Sequence, residues 1–474
     1  MGRGSVWKLL FRFSAPGIVS MLVGASYNLV DAIFVGRLGP QAVAALAVAF
    51  PITMIYVGFG MGIGVGGGSL IGRSLGAKKY EQANKICGNT LSITTIIGFL
   101  LTAIFMFNLS GLLRTFGAGG EVLSPAQTYT SVLVIWGTVN ILSQVTANIL
   151  RAEGNPYLSS TTQIISALSN VVLDPIFIFG WGPIPRMGIF GAAITTVMAW
   201  GLAVVVAVFY YFMGKSSYRL RLRDFVLDWK IIGEIFRVGI ASIVRTIAGS
   251  AVQTMGNVTA ASFGVIPLAI KGCLNRAASF AFMPCMGIGQ GMLPLVAYNF
   301  GAKKRKRIGE IVAKSSLVGL IWGTACFTLV MIIPTQAISI FGNDPEFLRQ
   351  GSVAIRIFSV ASMTVGTQMI MSHYFQGIGE GMSSLFLASA RQIIFLLPSI
   401  YFLPKMFGVV GLWLAFPTSD LLAIIFTIIW AGRSFRKLGI PFTLRRQEET
   451  LETVPTEGVG EKKTKVSTEI TPLD

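Results

Sequence analysis

Apolar runs of roughly 20 residues follow one another from residue 9 almost to residue 432 of this 474-residue chain. Each is long enough to cross a hydrocarbon core of about 30 Å as a helix. Lipid offers no water to satisfy a backbone, so such runs fold as helices that close their own hydrogen bonds. Charged residues make up only 12% of the chain, against about 25% in a typical soluble domain. The expected fold class is an all-α polytopic membrane protein. Twelve candidate spans can be marked, at 9–36, 42–71, 86–112, 122–150, 158–181, 188–213, 231–262, 266–297, 312–338, 351–376, 382–403 and 408–432.

The net charge of +18 does not point to nucleic acid, because the basic residues sit in short blocks between apolar runs. With the N-terminus in the cytoplasm, RSLGAKK (73–79), KSSYRLRLR (215–223) and KKRKR (303–307) fall on that side with the C-terminal tail. The opposite loops hold isolated cations: Arg37, Arg114, Arg186, Arg349 and Lys405. This asymmetry is the positive-inside pattern, and it places both termini in the cytoplasm of a multi-pass cell-membrane protein. Cys87, Cys273, Cys285 and Cys326 stand singly without metal-ligand spacing and read as packing residues. The first apolar stretch contains Pro16 and runs too long for a signal-peptide core, so it is expected to remain as a helix.

The chain also repeats itself. A shift of 225 residues lays LFRFSAPGIV (10–19) over IFRVGIASIV (235–244), IGRSLGAKK (71–79) over VAYNFGAKK (296–304), and LRAEGN (150–155) over FQGIGE (375–380). After a five-residue deletion GIFGAA (188–193) falls on GVVGLW (408–413). The twelve helices are therefore expected to form two pseudo-symmetric six-helix lobes. The N-lobe takes 1–213, a basic cytoplasmic linker 214–230, the C-lobe 231–436, and a charged, largely disordered tail 437–474. Six is even, so the lobes share one orientation. Parallel repeats of this kind serve transporters that open a central site alternately to each side.

GFGMGIGVGGG (58–68) contains a formal G-x-G-x-x-G match, but a dinucleotide site needs that pattern between a strand and a helix. Inside an apolar run its glycines instead favour close helix packing or a bend.

Asp31 lies near the end of the first span, where a charge costs at least about 2.5–3.5 kcal/mol. Tyr27 and Asn28, at i−4 and i−3, share its helical face. In the fifth span Asn170 and Asp174 are likewise one turn apart. Asp31 precedes Gly39 by eight residues and Asp174 precedes Trp181 by seven, which puts both carboxylates at similar depth. Under the repeat, Tyr27, Asn28 and Asp31 become Val252, Gln253 and Gly256, while Asn170 and Asp174 become Phe395 and Ser399. A group that only held the fold together should have some counterpart in the other half. Its one-sidedness favours a proton or cation site over an interhelical bond or a pairing with Arg37. A buried carboxylate pair can exchange protons, and the same oxygen-rich group suits Na⁺. Both remain open, and no other metal is expected.

Asn140, Gln144 and Asn148 form a stripe on span four, and Thr195 and Thr196 lie in span six. These residues either line a substrate cavity or bond helices together. Pro16 removes a backbone hydrogen bond within span one and is the candidate hinge. In the second half Arg245, Lys271, Arg276, Arg356, Arg391 and Asp420 read either as paired charges or as a cavity wall. His373, the sole histidine, reads as an interfacial polar contact.

The two six-helix halves, Asp31 within YNLVDAIFVGRLG, and the segments LRAEGNP, PLVAYNFGAKK and FQGIGEG resemble the multidrug and toxic compound extrusion (MATE) family over about residues 8–436. The resemblance implies a V-shaped bundle of two lobes and cation-coupled export of mostly organic cations. It also implies an N-lobe site at Asp31, Tyr27, Asn170 and Asp174, with Pro16 at the bend. A helix-seven Glu and a helix-ten Asp used by other branches align with Gly249 and Val365, which offer no ligating side chain. The expected activity is that of a monomeric antiporter, not an enzyme, that needs no cofactor beyond H⁺ or Na⁺ and exports amphipathic, mostly cationic small molecules. The alternative is a flippase for lipid-linked sugars, to whose headgroups the second-half cations would suit.

Overall fold

A computed structural model describes residues 1–444 except Arg3, Lys215, Ser217 and Tyr218, and the side chains of Asn28, Leu29 and Phe212 are also outside the description. The first half contains α1 (Val6–Gly36), α2 (Pro40–Gly76), α3 (Tyr80–Phe107), α4 (Leu109–Thr115), α5 (Leu123–Ile135), α6 (Gly137–Glu153), α7 (Pro156–Phe179) and α8 (Gly188–Phe212). The second contains α9 (Trp229–Ser262), α10 (Val265–Gly301), α11 (Arg305–Ile332), α12 (Pro334–Ser339), α13 (Pro345–Ser359), α14 (Ser362–Ile378), α15 (Gly381–Ser389), a π-helical segment Ala390–Leu396, and α16 (Leu397–Leu438). The fold is all-α, as the apolar runs require.

Several expected spans are subdivided. The fourth breaks between α5 and α6 with a bend of 50°, and the tenth between α13 and α14 with one of 44°. The third ends at Phe107, and Asn108 starts α4 by accepting the Gly111 N–H through its side chain. The last two run together as Gly381–Leu438, 58 residues, about 87 Å at 1.5 Å per residue, broken at Gly408 where φ is 59°. Among the described residues eight helices are long and apolar enough to cross a membrane, or ten if each bent pair is one span. The twelve expected require two more: α9, which carries Lys230, Glu234, Arg237 and Arg245, and a division at Gly408.

The backbone repeats with the sequence. Gly39 and Gly264 both have φ 116°, Lys78 and Lys303 have φ 60° and 58°, and Gly154 and Gly379 have φ 105° and 86°. Lysine in the left-handed region is uncommon, so its recurrence at equivalent positions marks one turn built twice. Gly188 and Gly408, with φ 56° and 59°, match at the shorter offset left by the deletion.

The halves meet through reciprocal contacts. An ideal Cβ on Gly62 would lie 2.4 Å from the Ile243 side chain, and one on Gly287 would lie 2.7 Å from that of Ile18. Likewise Gly76 approaches the Tyr298 carbonyl, and Gly301 the Arg73 carbonyl, each at 1.9 Å from the ideal Cβ. Contacts exchanged in this way between equivalent positions define a two-fold interface. The first helices cross it as well. Val6, Leu10 and Phe13 of α1 join the core of α10, α11 and α14, while Ile232, Ile235 and Val238 of α9 join the core of α2 and α3.

The linker is clasped rather than loose. Asn89 donates to the Asp224 and Val226 carbonyls at 3.1 and 3.0 Å and accepts the Asp228 N–H at 2.7 Å. Lys85 bonds the Asp228 carboxylate at 2.7 Å and holds it below its ordinary pKa. The start of the expected tail is docked too, with Ile440 buried and the Pro441 carbonyl against Gly309. Residues 445–474 lie outside the description.

Gly66 tests the interface, since its ideal Cβ would sit 2.1 Å from the Ile235 carbonyl oxygen. Gly66→Ala is expected to cost about 1–3 kcal/mol by overpacking. Gly201→Ala, at a position with nothing within 4 Å, should leave stability unchanged. Thermal unfolding of the purified variants in detergent checks both.

Candidate functional site

Four helices of the first half converge on one polar cluster. α1 brings Asp31, α5 Tyr129, α7 Asn170 and Asp174, and α8 Thr195 and Thr196. Around them Val35, Ala42, Ala49, Ile178, Ala192 and Ala193 form a small-residue apolar core that lets the helices approach closely. Asp174 and Thr195 have no accessible surface, and Asn170 almost none. Pro175 follows within α7, so the Val171 carbonyl lacks its helical donor.

Two donors meet one carboxylate oxygen. Thr195 Oγ1 donates to Asp174 Oδ1 at 2.5 Å and Asn170 Nδ2 donates to the same atom at 3.2 Å. Asn170 also reaches Thr196 Oγ1 at 3.4 Å, and Tyr129 bonds Thr196. The Asp31 carboxyl lies within hydrogen-bonding reach of Asp174. Three buried acceptors remain without a donor: Asp31 Oδ1, Asn170 Oδ1 and Asp174 Oδ2. Facing acceptors share one affinity, for a proton between carboxyl oxygens or for a hard cation with oxygen ligands. Among the described residues no group of three His, Cys, Asp or Glu could hold a metal, so a cation here would rely on two carboxyls with amide and carbonyl oxygens.

Of the residues the sequence singled out, Asp31, Asn170, Asp174, Thr195 and Thr196 are thus brought together, with Tyr27 close to Tyr129. The Asn28 side chain falls outside the description. Arg37 is exposed and pairs with no carboxylate among the described residues. The stripe on α6 turns elsewhere. Gly60 of α2 packs against Gln144, and Gly64 against Asn148, while Asn140 borders a separate cavity of about 10 Å³ with Tyr56 and Trp200. Pro16 lies inside α1, and the adjacent Gly17 touches the Gly287 backbone. Tyr129 was not legible in the sequence, because QTYTS shows no polar periodicity that would separate it from ordinary packing. Its signal is purely spatial.

In the second half the equivalent region is differently furnished. Lys271 has 1% exposure, stands 4.9 Å from the Phe416 ring centroid and bonds Asn275. Its Cε lies 3.0 Å from an ideal Cβ on Gly256, the counterpart of Asp31. Arg391 pairs with Asp420 at 2.6 Å, whereas Arg276 and Arg356 are exposed. His373 is buried against Gly289 with Nδ1 2.8 Å from the Met369 carbonyl, a polar contact in a packed interface.

Fold and repeat define a multi-pass helical membrane protein built from two copies of one unit. The MatE family model matches it twice, over residues 16–176 and 241–402, and the chain belongs to the MatE family. Multidrug export protein MepA of Staphylococcus saprophyticus is 26% identical over 414 residues, covering 86% of this chain and 90% of that protein. MepA of Staphylococcus aureus strain MSSA476 is 24% identical over 429 residues, covering 90% and 94%. Among solved structures, the outward-facing conformation of a multidrug resistance MATE family transporter of the MOP superfamily superposes with TM-score 0.86 at 26% identity, covering 92% of this chain and 97% of that one. The same values hold for a MOP superfamily transporter from Pyrococcus furiosus for which reverse polarity of the binding pocket is said to suggest a different function.

Thr195→Val keeps the shape of the side chain and removes the shortest bond to Asp174. It is expected to cost about 1–3 kcal/mol, and Thr196→Val, which loses the 3.4 Å contact from Asn170, the bond to Tyr129 and the hydroxyl's 2.9 Å bond to the Ala192 carbonyl but none to a carboxylate, should cost less. Comparing their melting temperatures with wild type decides the ranking.

Proposed function

We propose that this chain is a monomeric antiporter of the cell membrane that admits H⁺ or Na⁺ and exports amphipathic, mostly cationic organic compounds by alternating access. The observation that carries the reading is the pair of facing carboxyls, Asp31 and Asp174, with acceptor oxygens that lack donors. The relatives named as multidrug exporters support the export half of the reading and give none to a lipid-linked-sugar flippase.

In this scheme the coupling ion binds at Asp31 and Asp174, supported by Asn170, Tyr27, Asn28, Thr195 and Tyr129. Neutralising the carboxyls relieves their repulsion and draws α1 against α7. Pro16 gives α1 a point at which to bend, and the motion alternates access to a cleft between the two lobes. A membrane potential supplies about 2.3 kcal/mol per charge per 100 mV, and a pH gradient about 1.4 kcal/mol per unit. One-for-one exchange with a singly charged cation moves no net charge, so the potential cancels and the ion gradient alone supports about a tenfold substrate gradient per pH unit. The basic loops support a twelve-span arrangement with both termini in the cytoplasm and lobes at 1–213 and 231–436.

The test is export of a cationic dye from proteoliposomes under separately imposed pH and Na⁺ gradients. Wild type should respond to one gradient, and Asp31→Asn and Asp174→Asn should each lower gradient-driven export by about tenfold or more. Full coupled export in both variants would reject the site.

A further inference from the structure

Arg245 lies deep in the bundle on α9, and among the described residues it makes no hydrogen bond or ion pair; its Nη2 is buried and unbonded. The side chain nevertheless keeps some accessible surface. Arg245, Gly249, Val252 and Gly256 recur at helical spacing and share one face of α9. An ideal Cβ on Gly249 would lie 3.6 Å from Gln392 Nε2 and 3.8 Å from its Oε1. Gln392 therefore covers the turn next to Arg245, and its Oε1 is buried and unbonded as well. A donor and an acceptor, both unsatisfied, stand about one turn apart and do not bond each other.

Gln392 sits in the π-helical segment Ala390–Leu396, a wider turn found most often at functional sites. The surrounding charge is positive. Arg151 and Arg245 both act electrostatically on His373, and Arg151 bonds the neutral Gln290. Lys271 meets the same face of α9 at Gly256, while Arg391 is already neutralised by Asp420. A guanidinium left without a partner in low dielectric is strongly disfavoured, and its planar fork matches carboxylate and phosphate groups. We propose that Arg245 and Gln392 form an anion-binding subsite in the second half, which holds the carboxylate or phosphate group of an amphipathic ligand. Arg245 takes the anionic oxygens, and Gln392 Oε1 accepts from a hydroxyl or N–H beside them.

The subsite deepens the export reading and rests on it for the ligand's route, so its test uses binding, which needs no gradient. Fluorescence anisotropy with the purified full-length chain compares rhodamine B, which carries a carboxylate, with its methyl ester, which does not. Arg245→Gln should weaken rhodamine B binding by about tenfold and leave the ester within about twofold. Arg245→Lys should fall between. Equal loss of both dyes, or unchanged binding of the acid, overturns the subsite. Phosphatidylglycerol that displaces rhodamine B from wild type makes a lipid headgroup the occupant, and no displacement makes it a soluble ligand; either upholds an anion site. If acid and ester are distinguished as expected while gradient-driven export fails, the export reading falls and the subsite stands.

Discussion

The structure depends on how closely the glycine faces of α2 and α10 approach the other half. At Gly66, Gly76 and Gly301 an ideal Cβ would lie about as far from a neighbouring carbonyl as a hydrogen does in a hydrogen bond. Helices in lipid gain little from hiding apolar surface from one another, so tight packing has to come from small residues and van der Waals contact. Because the contacts are exchanged between equivalent positions, one sequence solution serves the interface twice. This explains why LGAKK and FGAKK keep the same turn, with a lysine at φ 60° and 58°, while the outer segments diverge. The inner end of each half is tied to its counterpart, and the outer end is not.

α1 connects that constraint to the polar cluster. Its beginning belongs to the second-half core through Val6, Leu10 and Phe13, and its end belongs to the first-half core through Val35. Asp31 lies four residues before Val35, on the part held by α5, α7 and α8. On the proposed function, an ion at Asp31 acts on a helix whose other end is fixed in the opposite half, and Pro16 lies between. The interior has few continuous deformations open to it, so a change at one end of such a helix is transmitted as a shift against the interface.

Much of this was legible in the sequence because repetition and periodicity are properties of the chain itself. The offset of 225 residues, read from IGRSLGAKK and VAYNFGAKK, is the offset at which the backbone angles recur. The glycine run was read as allowing close packing or a bend, and its glycines lie close against neighbouring helices. Counting residues from the outer ends placed Asp31 and Asp174 at one depth, and the structure brings them within reach of each other. What could not be read depends on rotation about helix axes. The stripe of Asn140, Gln144 and Asn148 could be read either as a cavity lining or as groups between helices, and only the structure shows Gln144 and Asn148 against Gly60 and Gly64 of α2; likewise Thr195 rather than a residue of α7 makes the shortest bond to Asp174. The break near Val360 lies within an apolar run without Gly or Pro beside it, and the one near Trp136 is marked only by Gly137, a residue common inside these apolar runs, so composition gave little warning.

The two halves differ most where packing constrains them least. Asp31 faces Gly256, Asn170 faces Phe395, and Asp174 faces Ser399 in the repeat. Lys271 leans over Gly256 toward Phe416, so the second half holds a fixed ammonium near the position equivalent to the first half's carboxyls. That space is furnished differently: Gly256 and Ser399 stand where the first half has its carboxyls, and a tethered charge repels a second one. On the proposed function the coupling ion is therefore taken by the first half, where the paired carboxyls stand. A duplicated fold allows this division because its shared interface is set by backbone approach, which leaves the outer side chains free to acquire opposite charge.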